Sequence, residues 1–258
     1  MRCTFMSRRL SSLSFVLVLV LVFLAIPAAV FAGGATVQGT VKVAAPIPTV
    51  ASAKIAKDVA TCGAEAINEA IVAKGSGELA NVVVWLQPVV ASGAVKPTLP
   101  APATGPANVD QVGCRYQPHV QALGVGSELT LVNSDRVLHN VHGNLQNASS
   151  AMTVFNVAMP IKGQKLPTKL ARSGLIRLQC DAGHAWMNAW IYVFDHALFA
   201  VTDKAGHFSI AHVPAGTYNI SYWHEPLDGK GAGTTTTSRV VVDDKSDKGL
   251  SADITLKL

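Results

Sequence analysis

The stretch Leu178–Asp195, L-Q-C-D-A-G-H-A-W-M-N-A-W-I-Y-V-F-D, places three metal-binding side chains between two apolar runs. The flanking runs are short and rich in aliphatic and aromatic residues, which is typical of β-strands. The loop between them carries Cys180, His184 and Met187. A rigid β-scaffold fixes such side chains before a metal arrives, so this stretch predicts both a β-fold and a metal site.

A fourth donor lies upstream, in the segment V-N-S-D-R-V-L-H-N-V-H-G that spans residues 132–143. With His139, the chain offers two imidazoles, one thiolate and one thioether. Imidazole suits Cu(II), whereas thiolate and thioether suit Cu(I), and a trigonal His, His, Cys site with a weak axial Met is a copper electron-transfer site. The sequence therefore predicts one copper ion, with His139, Cys180 and His184 as equatorial ligands and Met187 as the axial ligand.

The pattern N-x-D-x-x-x-H-N-V-H followed by C-x-x-x-H-x-x-M resembles the cupredoxins, particularly amicyanin and plastocyanin. The resemblance implies a Greek-key β-sandwich over about residues 35–195, the same four ligands, and Asn140 as the residue whose backbone N–H bonds the thiolate. The loop departs from amicyanin by having three residues, Asp181–Gly183, between Cys180 and His184. That spacing matches binuclear copper centres, but their second cysteine position is Ile176 here, so we expect one copper ion.

Residues 1–32 have the pattern of an export signal: a start with Arg2, Arg8 and Arg9, an apolar run, and a small-residue end at Ala32. We expect cleavage after Ala32, a periplasmic or secreted protein, and no stable membrane insertion afterwards; an uncleaved membrane anchor is the alternative. Removal of three arginines lowers the formal charge from +5 to +2. No basic cluster of the nucleic-acid-binding type remains, so no nucleic-acid partner is expected.

Three cysteines remain after the signal, Cys62, Cys114 and Cys180, an odd number in an oxidising compartment. Cys180 alone has His and Met at ligand spacing, so Cys62 and Cys114 are the expected disulfide pair. A bridged Cys180 with one of the others free is the alternative, because connectivity cannot be deduced from sequence alone.

The chain favours an all-β fold throughout. Expected strands in the first domain, residues 33–195, are 36–43, 81–87, 128–133, 175–180 and 189–194. Residues 64–74 are the best helical candidate, or else a strand that leads into a turn. Residues 88–113 contain five prolines and are expected to form a long surface loop, an insertion in this domain.

A second unit is expected over residues 196–258. Its strands are separated by the turns Asp203–Gly206 and Pro214–Gly216. This order resembles the carboxypeptidase regulatory-like modules, which are small transthyretin-type β-sandwiches. The whole chain, a cupredoxin followed by such a module, is similar to secreted proteins of the methylamine utilisation type. The module implies a fold and no particular function.

The expected function is electron transfer by a mononuclear copper protein, with a redox protein as partner. Copper storage or delivery is one alternative, and a non-redox adhesion scaffold with a cupredoxin fold is another. No enzyme activity is expected, because the chain lacks a nucleophile motif and a second, all-His copper site. His142 is expected to be a neighbour of the site. A second metal site at His119, His224 and Glu225 lacks supporting spacing, and a surface or hydrogen-bonding role is expected for these residues.

Overall fold

Strands account for nearly all regular structure in the computed structural model, which describes residues 34–258 except 74, 96, 147–149 and 244–248. The all-β prediction is confirmed. In chain order the elements are β1 (Ala35–Val43), β2 (Ala53–Lys54), α1 (Val59–Cys62), β3 (Glu65–Ala66), β4 (Val83–Pro88), β5 (Ala107–Gln111), β6 (Tyr116–Gln117), β7 (Val120–Gly124), β8 (Glu128–Asn133), β9 (His139–Gln146), β10 (Ala151–Met159), β11 (Lys165–Lys169), β12 (Gly174–Gln179), β13 (Asn188–Phe194), β14 (Phe199–Val201), β15 (His207–Val213), β16 (Gly216–His224), β17 (Thr234–Val242), β18 (Leu250–Ser251) and β19 (Ile254–Leu256).

Two sheets share one core, and the first of them carries the predicted ligands. One has the order β10-β9-β12-β13-β7, and the other has the order β11-β8-β5-β6. Their inward side chains form one buried apolar cluster, with Leu131 and Val109 from one sheet and Val141, Leu178 and Ile191 from the other. Burial of alternate residues along these strands gives a two-sheet sandwich, and it fixes which side chains point towards the core.

A second pair of sheets has a core of its own. The first consists of β15-β1-β18, with β19 also paired to β1, and the second has the order β14-β4-β16-β17. Val37, Leu86, Phe208 and Ile220 are among the residues of this second apolar cluster. The contacts of the described residues group them into one compact unit. A third, aromatic cluster joins the two cores, with the rings of Trp190 and Trp223 at 5.5 Å between centroids.

The division expected at residues 195 and 196 differs from the observed strand pairing. β1 pairs with β15, and β4 lies between β14 and β16, so both early strands belong to sheets built mainly from residues after 196. The second sandwich is therefore assembled from both ends of the chain. The reason is that β1 and β4 bury apolar faces that the later strands alone leave uncovered.

Two further expectations need correction. Residues 88–113 are not wholly a loop, because β5 lies within them and pairs with β8 and β6. The prolines end at Pro106, and beyond it Val109 and Gln111 alternate inward with 0% exposure, as in a buried strand. In the described part of the helical candidate, residues 64–73, the structure has the short strand β3 and an isolated bridge of Ala73 to Leu79, while the helix α1 precedes them.

The predicted signal, residues 1–32, lies outside the described residues. Among those that the structure describes, no helix is long and apolar enough to cross a membrane.

Candidate metal centre

Adjacent strands bring the predicted ligands together. His139 begins β9, and Cys180 directly follows β12, which pairs with β9. His184 and Met187 lie in the loop that leads from β12 into its other neighbour, β13. The predicted ligands therefore lie at the same end of three neighbouring strands.

The three equatorial candidates form a tight, buried cluster. The Nδ1 atoms of His139 and His184 lie 3.2 Å apart, and Cys180 Sγ lies 3.6 Å from His184 Nδ1. One ligand atom from each residue lies within 4.8 Å of the other two. Both histidines are 0% exposed and Cys180 is 5% exposed, so these donors have almost no contact with water.

A carboxylate holds the far nitrogen of each imidazole. Asp135 Oδ2 lies 2.8 Å from His139 Nε2, and Asp58 Oδ2 lies 2.9 Å from His184 Nε2. A carboxylate accepts hydrogen bonds, so each Nε2 carries the proton and each Nδ1 keeps its lone pair for a metal. Such carboxylate–imidazole pairs orient metal-binding histidines and make them more basic.

The donors fit a copper ion in both type and spacing. Metal–nitrogen bonds of about 2.0 Å and metal–sulfur bonds of about 2.3 Å place donors of trigonal or tetrahedral sites about 3.3–3.8 Å apart. The separations of 3.2 Å and 3.6 Å observed here lie at or close to that range. One thiolate with two neutral imidazoles is a donor set that suits copper.

Met187 lies in the same apolar core as Cys180. Its side chain is 2% exposed, and its N–H donates to the carbonyl of His184 at 2.9 Å, which closes a turn between the two residues. Its role as the axial ligand stays a prediction.

Asn140 supports the loop through its side chain. Its Oδ1 accepts the N–H of Asp181 at 3.3 Å, and its Nδ2 donates to Asn156 at 2.7 Å. In the part of the chain that the structure describes, no hydrogen bond joins the Asn140 N–H to Cys180 Sγ, which is the contact that the cupredoxin resemblance implies. His142 lies beside the site, bonded to Asp181 at 2.7 Å and to Thr153 at 2.8 Å, in agreement with its expected role as a neighbour.

Burial shapes the protonation of the groups around the cluster. It lowers the pKa of His139, although the hydrogen bond to Asp135 acts in the opposite direction. This keeps the imidazole neutral, as a metal ligand must be. Burial, together with the nearby charge of Cys180, raises the pKa of Tyr116 well above its ordinary value, and the phenol donates to the carbonyl of Asn140.

The Cys62–Cys114 disulfide is present and lies against the site. Cys180 is the free cysteine of the described residues. Both disulfide sulfurs lie within 4.8 Å of a ring nitrogen of His184, and Cys114 also groups with Asp135 and His139. Because these sulfurs are bonded to each other, they are not thiolate ligands.

His119 and Glu225 form a separate buried pair, 2.5 Å apart. The second oxygen of Glu225 accepts the indole N–H of Trp190 at 2.9 Å, and His224 Nδ1 donates to the backbone carbonyl of Glu225 at 2.7 Å. Through these contacts, the three residues have the expected hydrogen-bonding role.

Sequence reasoning assigned no role to Asp135 or Asp58. Asp135 did carry a signal, since it is the aspartate of the quoted N-x-D pattern, four residues before His139. Asp58 lies 126 residues from His184 in the chain, and nothing in its local sequence indicates the contact.

Solved structures that are partly similar to this chain include a purple cupredoxin, an amicyanin and a copper-containing nitrite reductase. A purple cupredoxin from Nitrosopumilus maritimus is 20% identical over 34% of this chain and 99% of its own, with a TM-score of 0.30. The oxidised P94A mutant of amicyanin is 20% identical over 43% of this chain and 98% of its own, with a TM-score of 0.29. A copper-containing nitrite reductase from Thermus scotoductus SA-01 is 21% identical over 42% of this chain and 25% of its own, with a TM-score of 0.28. No protein-family model and no curated protein matches the chain.

Proposed function

We propose that this chain is an exported copper protein that transfers single electrons to or from a protein partner. The observation that carries the proposal is the convergence of one ligand atom each from His139, Cys180 and His184 within 4.8 Å in a site almost closed to water. The partial similarities to solved structures do not support a function. The ligand geometry alone therefore supports the proposal.

Each residue has a separate task. His139 and His184 would present the lone pairs of their Nδ1 atoms to the metal, because Asp135 and Asp58 accept hydrogen bonds from the Nε2 atoms. Cys180 would supply the thiolate, and Met187 would supply a thioether. A copper ion bound here supplies one-electron chemistry by alternating between Cu(I) and Cu(II). The strands that fix the donors limit rearrangement between the two states, which favours rapid electron transfer.

Burial of the donors favours electron transfer over storage or delivery. A delivery protein must hand its ion to another protein, which requires donors that an incoming ligand can reach. Here His139 and His184 are 0% exposed. The retained cluster also argues against an adhesion scaffold with a vestigial site, and we propose no catalytic turnover.

The test is the visible spectrum of residues 33–258 loaded with one equivalent of Cu(II). We expect an intense sulfur-to-copper charge-transfer band that disappears on reduction with one electron per protein. Cys180→Ser should abolish the band, since Cys180 is the free thiol of the described chain. The Met152→Leu variant, altered outside the ligand set, should retain it. Absence of the band in the wild type, or its persistence in Cys180→Ser, contradicts the proposal. Bound copper that passes to a chelator without redox cycling supports the delivery alternative.

Export is the second part of the proposal. Intact-mass analysis of the protein from the periplasmic or culture fraction should give a chain that begins at Gly33. A chain that retains residues 1–32 contradicts the proposed cleavage.

A further inference from the structure

Residues 53–66 form a small substructure outside the four large sheets, here named the cover segment. β2 and β3 pair with each other, and the four-residue helix α1 lies in the connection between them. The N–H of Ile55 donates to the carbonyl of Ala64 at 2.9 Å, which closes the base of this connection. The cover segment therefore forms backbone hydrogen bonds within itself, and side chains must attach it to the sandwich.

Its attachments converge on the metal-site loop. Cys62 links it covalently to Cys114, and Lys57 Nζ donates to the carbonyl of Ala182, two residues before His184. Asp58 bonds His184 Nε2 at 2.9 Å. Ile55 and Cys62 pack into the same apolar cluster as Cys180 and Met187.

The Asp58 side chain bonds His184 and does not cap its own helix. It occupies the position before α1, where an aspartate ordinarily accepts an N–H from the first turn. Here its side chain makes no such cap bond, and its backbone adopts the left-handed conformation with φ 53°. Aspartate tolerates that conformation better than most residues do. Both features direct its carboxylate to the imidazole.

The cover segment leaves the donors without an open approach. The ring of His184 faces His139 and Cys180 through Nδ1, Asp58 through Nε2, and Trp186 edge-on at 5.2 Å between centroids. It is 0% exposed, whereas the Asp58 side chain is 32% exposed. Asp58 thus occupies the position between His184 and water.

We propose that the cover segment is a disulfide-anchored lid over the metal site, with Asp58 as the positioning residue for His184. Metal ions and reagents reach the donors only when the lid moves, and the Cys62–Cys114 bond limits how far it moves. This inference deepens the copper proposal and rests on it only for the identity of the ion.

The first test uses metal-free protein and the alkylation of Cys180 by iodoacetamide. Wild type should react slowly, and Asp58→Ala should react about ten times faster or more, with Asp58→Asn between them because an amide oxygen still accepts the imidazole N–H. Asp228→Asn is the matched control, since Asp228 accepts the N–H of Lys230 at 2.9 Å within its own loop. Thermal unfolding midpoints separate lid opening from global destabilisation. Equal rates in wild type and Asp58→Ala overturn the lid.

The second test separates positioning from mere stabilisation. In metal-free wild type, imidazole nitrogen NMR should show the His184 proton on Nε2, and Asp58→Ala should give a mixture of tautomers. An unchanged tautomer overturns the positioning role. Copper removal by a chelator should be about 10–100-fold faster in Asp58→Ala, the scale on which losses of such partners weaken metal sites. Alkylation and NMR need no metal, so their outcomes do not depend on the charge-transfer band. The lid can therefore be contradicted while the band is present, and it can be supported while the band is absent.

Discussion

His139 Nε2 lies 2.8 Å from Asp135 Oδ2, and the same carboxylate holds the loop that carries the disulfide. Its Oδ1 accepts the N–H of Gly113 at 2.9 Å, and its Oδ2 also accepts the N–H of Cys114 at 2.8 Å. One buried side chain therefore fixes both a candidate ligand and the sulfur anchor of the cover segment. A substitution at Asp135 should therefore affect both the metal site and its lid.

Asp135→Asn should weaken copper binding by about 10–100-fold, the usual effect of losing a carboxylate behind a metal-binding histidine. The amide has only one acceptor oxygen. Its NH₂ group must therefore face an N–H group whose hydrogen bond the Asp135 carboxylate accepts in the wild type. Competition with a chelator of known affinity measures the change. Asp110→Asn is the control, because Asp110 accepts from Ser134 at 2.8 Å without touching a ligand. Equal affinities for wild type and Asp135→Asn contradict the role of this carboxylate.

Met187→Leu should keep both the copper ion and the charge-transfer band while raising the reduction potential. A weak axial thioether tunes the metal without holding it, and a leucine fills the same buried space with little change in volume. Voltammetry of the variant beside Met152→Leu measures the shift. A variant that no longer binds copper contradicts the axial assignment, and so does an unchanged potential.

Replacement of both Cys62 and Cys114 by serine should lower the free energy of unfolding by about 4 kcal/mol, from the chain-entropy cost of opening a loop of this length. The two cysteines are 52 residues apart in the chain. Urea unfolding of the metal-free protein measures the difference, with Cys180→Ser as a single-cysteine control that keeps the bridge. A loss no larger than that in Cys180→Ser contradicts a stabilising disulfide.

The ligand loop was predictable because its information is local. Cys180 and His184 are four residues apart between two strand-forming runs, so their approach follows from the strand pairing alone. The strand β8, Glu128–Asn133, was likewise predicted with its observed bounds, since apolar residues alternate along it and Asn133 ends it. Alternation of this kind is read from a few neighbouring residues.

The remaining features depend on contacts between distant parts of the chain. The pairing of Val37 with Ile210 and the bond between Asp58 and His184 join segments with no shared local pattern. β5 was hidden for another reason: it follows a proline-rich stretch, and its polar residues Asn108, Asp110 and Gln111 mask the buried Val109. Sequence patterns of single strands do not specify which distant strand or side chain will complete a sheet or a site.

The buried pair of His119 and Glu225 should make stability depend on pH. Burial acts to lower the pKa of His119, but the hydrogen bond and charge of Glu225, 2.5 Å away, outweigh it and raise the pKa above its ordinary value. Glu69, with Oε2 at 3.9 Å from His119 Nδ1, acts in the same direction. Burial lowers the pKa of the neighbouring His224, which opposes this effect in the intact protein.

A raised pKa means that the folded state holds its proton more tightly than the unfolded state does. The resulting stabilisation is complete below about pH 6.5, the ordinary pKa of histidine, and is lost as the pH rises through the higher pKa of the folded state. Glu225→Gln removes the charge that raises the pKa, and loss of one partner of a buried ion pair costs on the order of 3 kcal/mol. The difference in unfolding free energy between wild type and Glu225→Gln should therefore be largest in mildly acidic solution and should shrink towards alkaline pH.

Urea unfolding of metal-free protein across this pH range measures that difference. The charge of Glu225 also acts to raise the pKa of His224, so its removal changes this difference in the same direction. Asp228→Asn, which changes a carboxylate three residues away, should show a small difference that does not vary with pH. A wild-type advantage over Glu225→Gln that stays constant or grows with pH shows that the pair does not hold a proton on His119. In that case Glu225 serves to accept the indole N–H of Trp190. The aromatic cluster between the two cores then does not respond to pH through this pair.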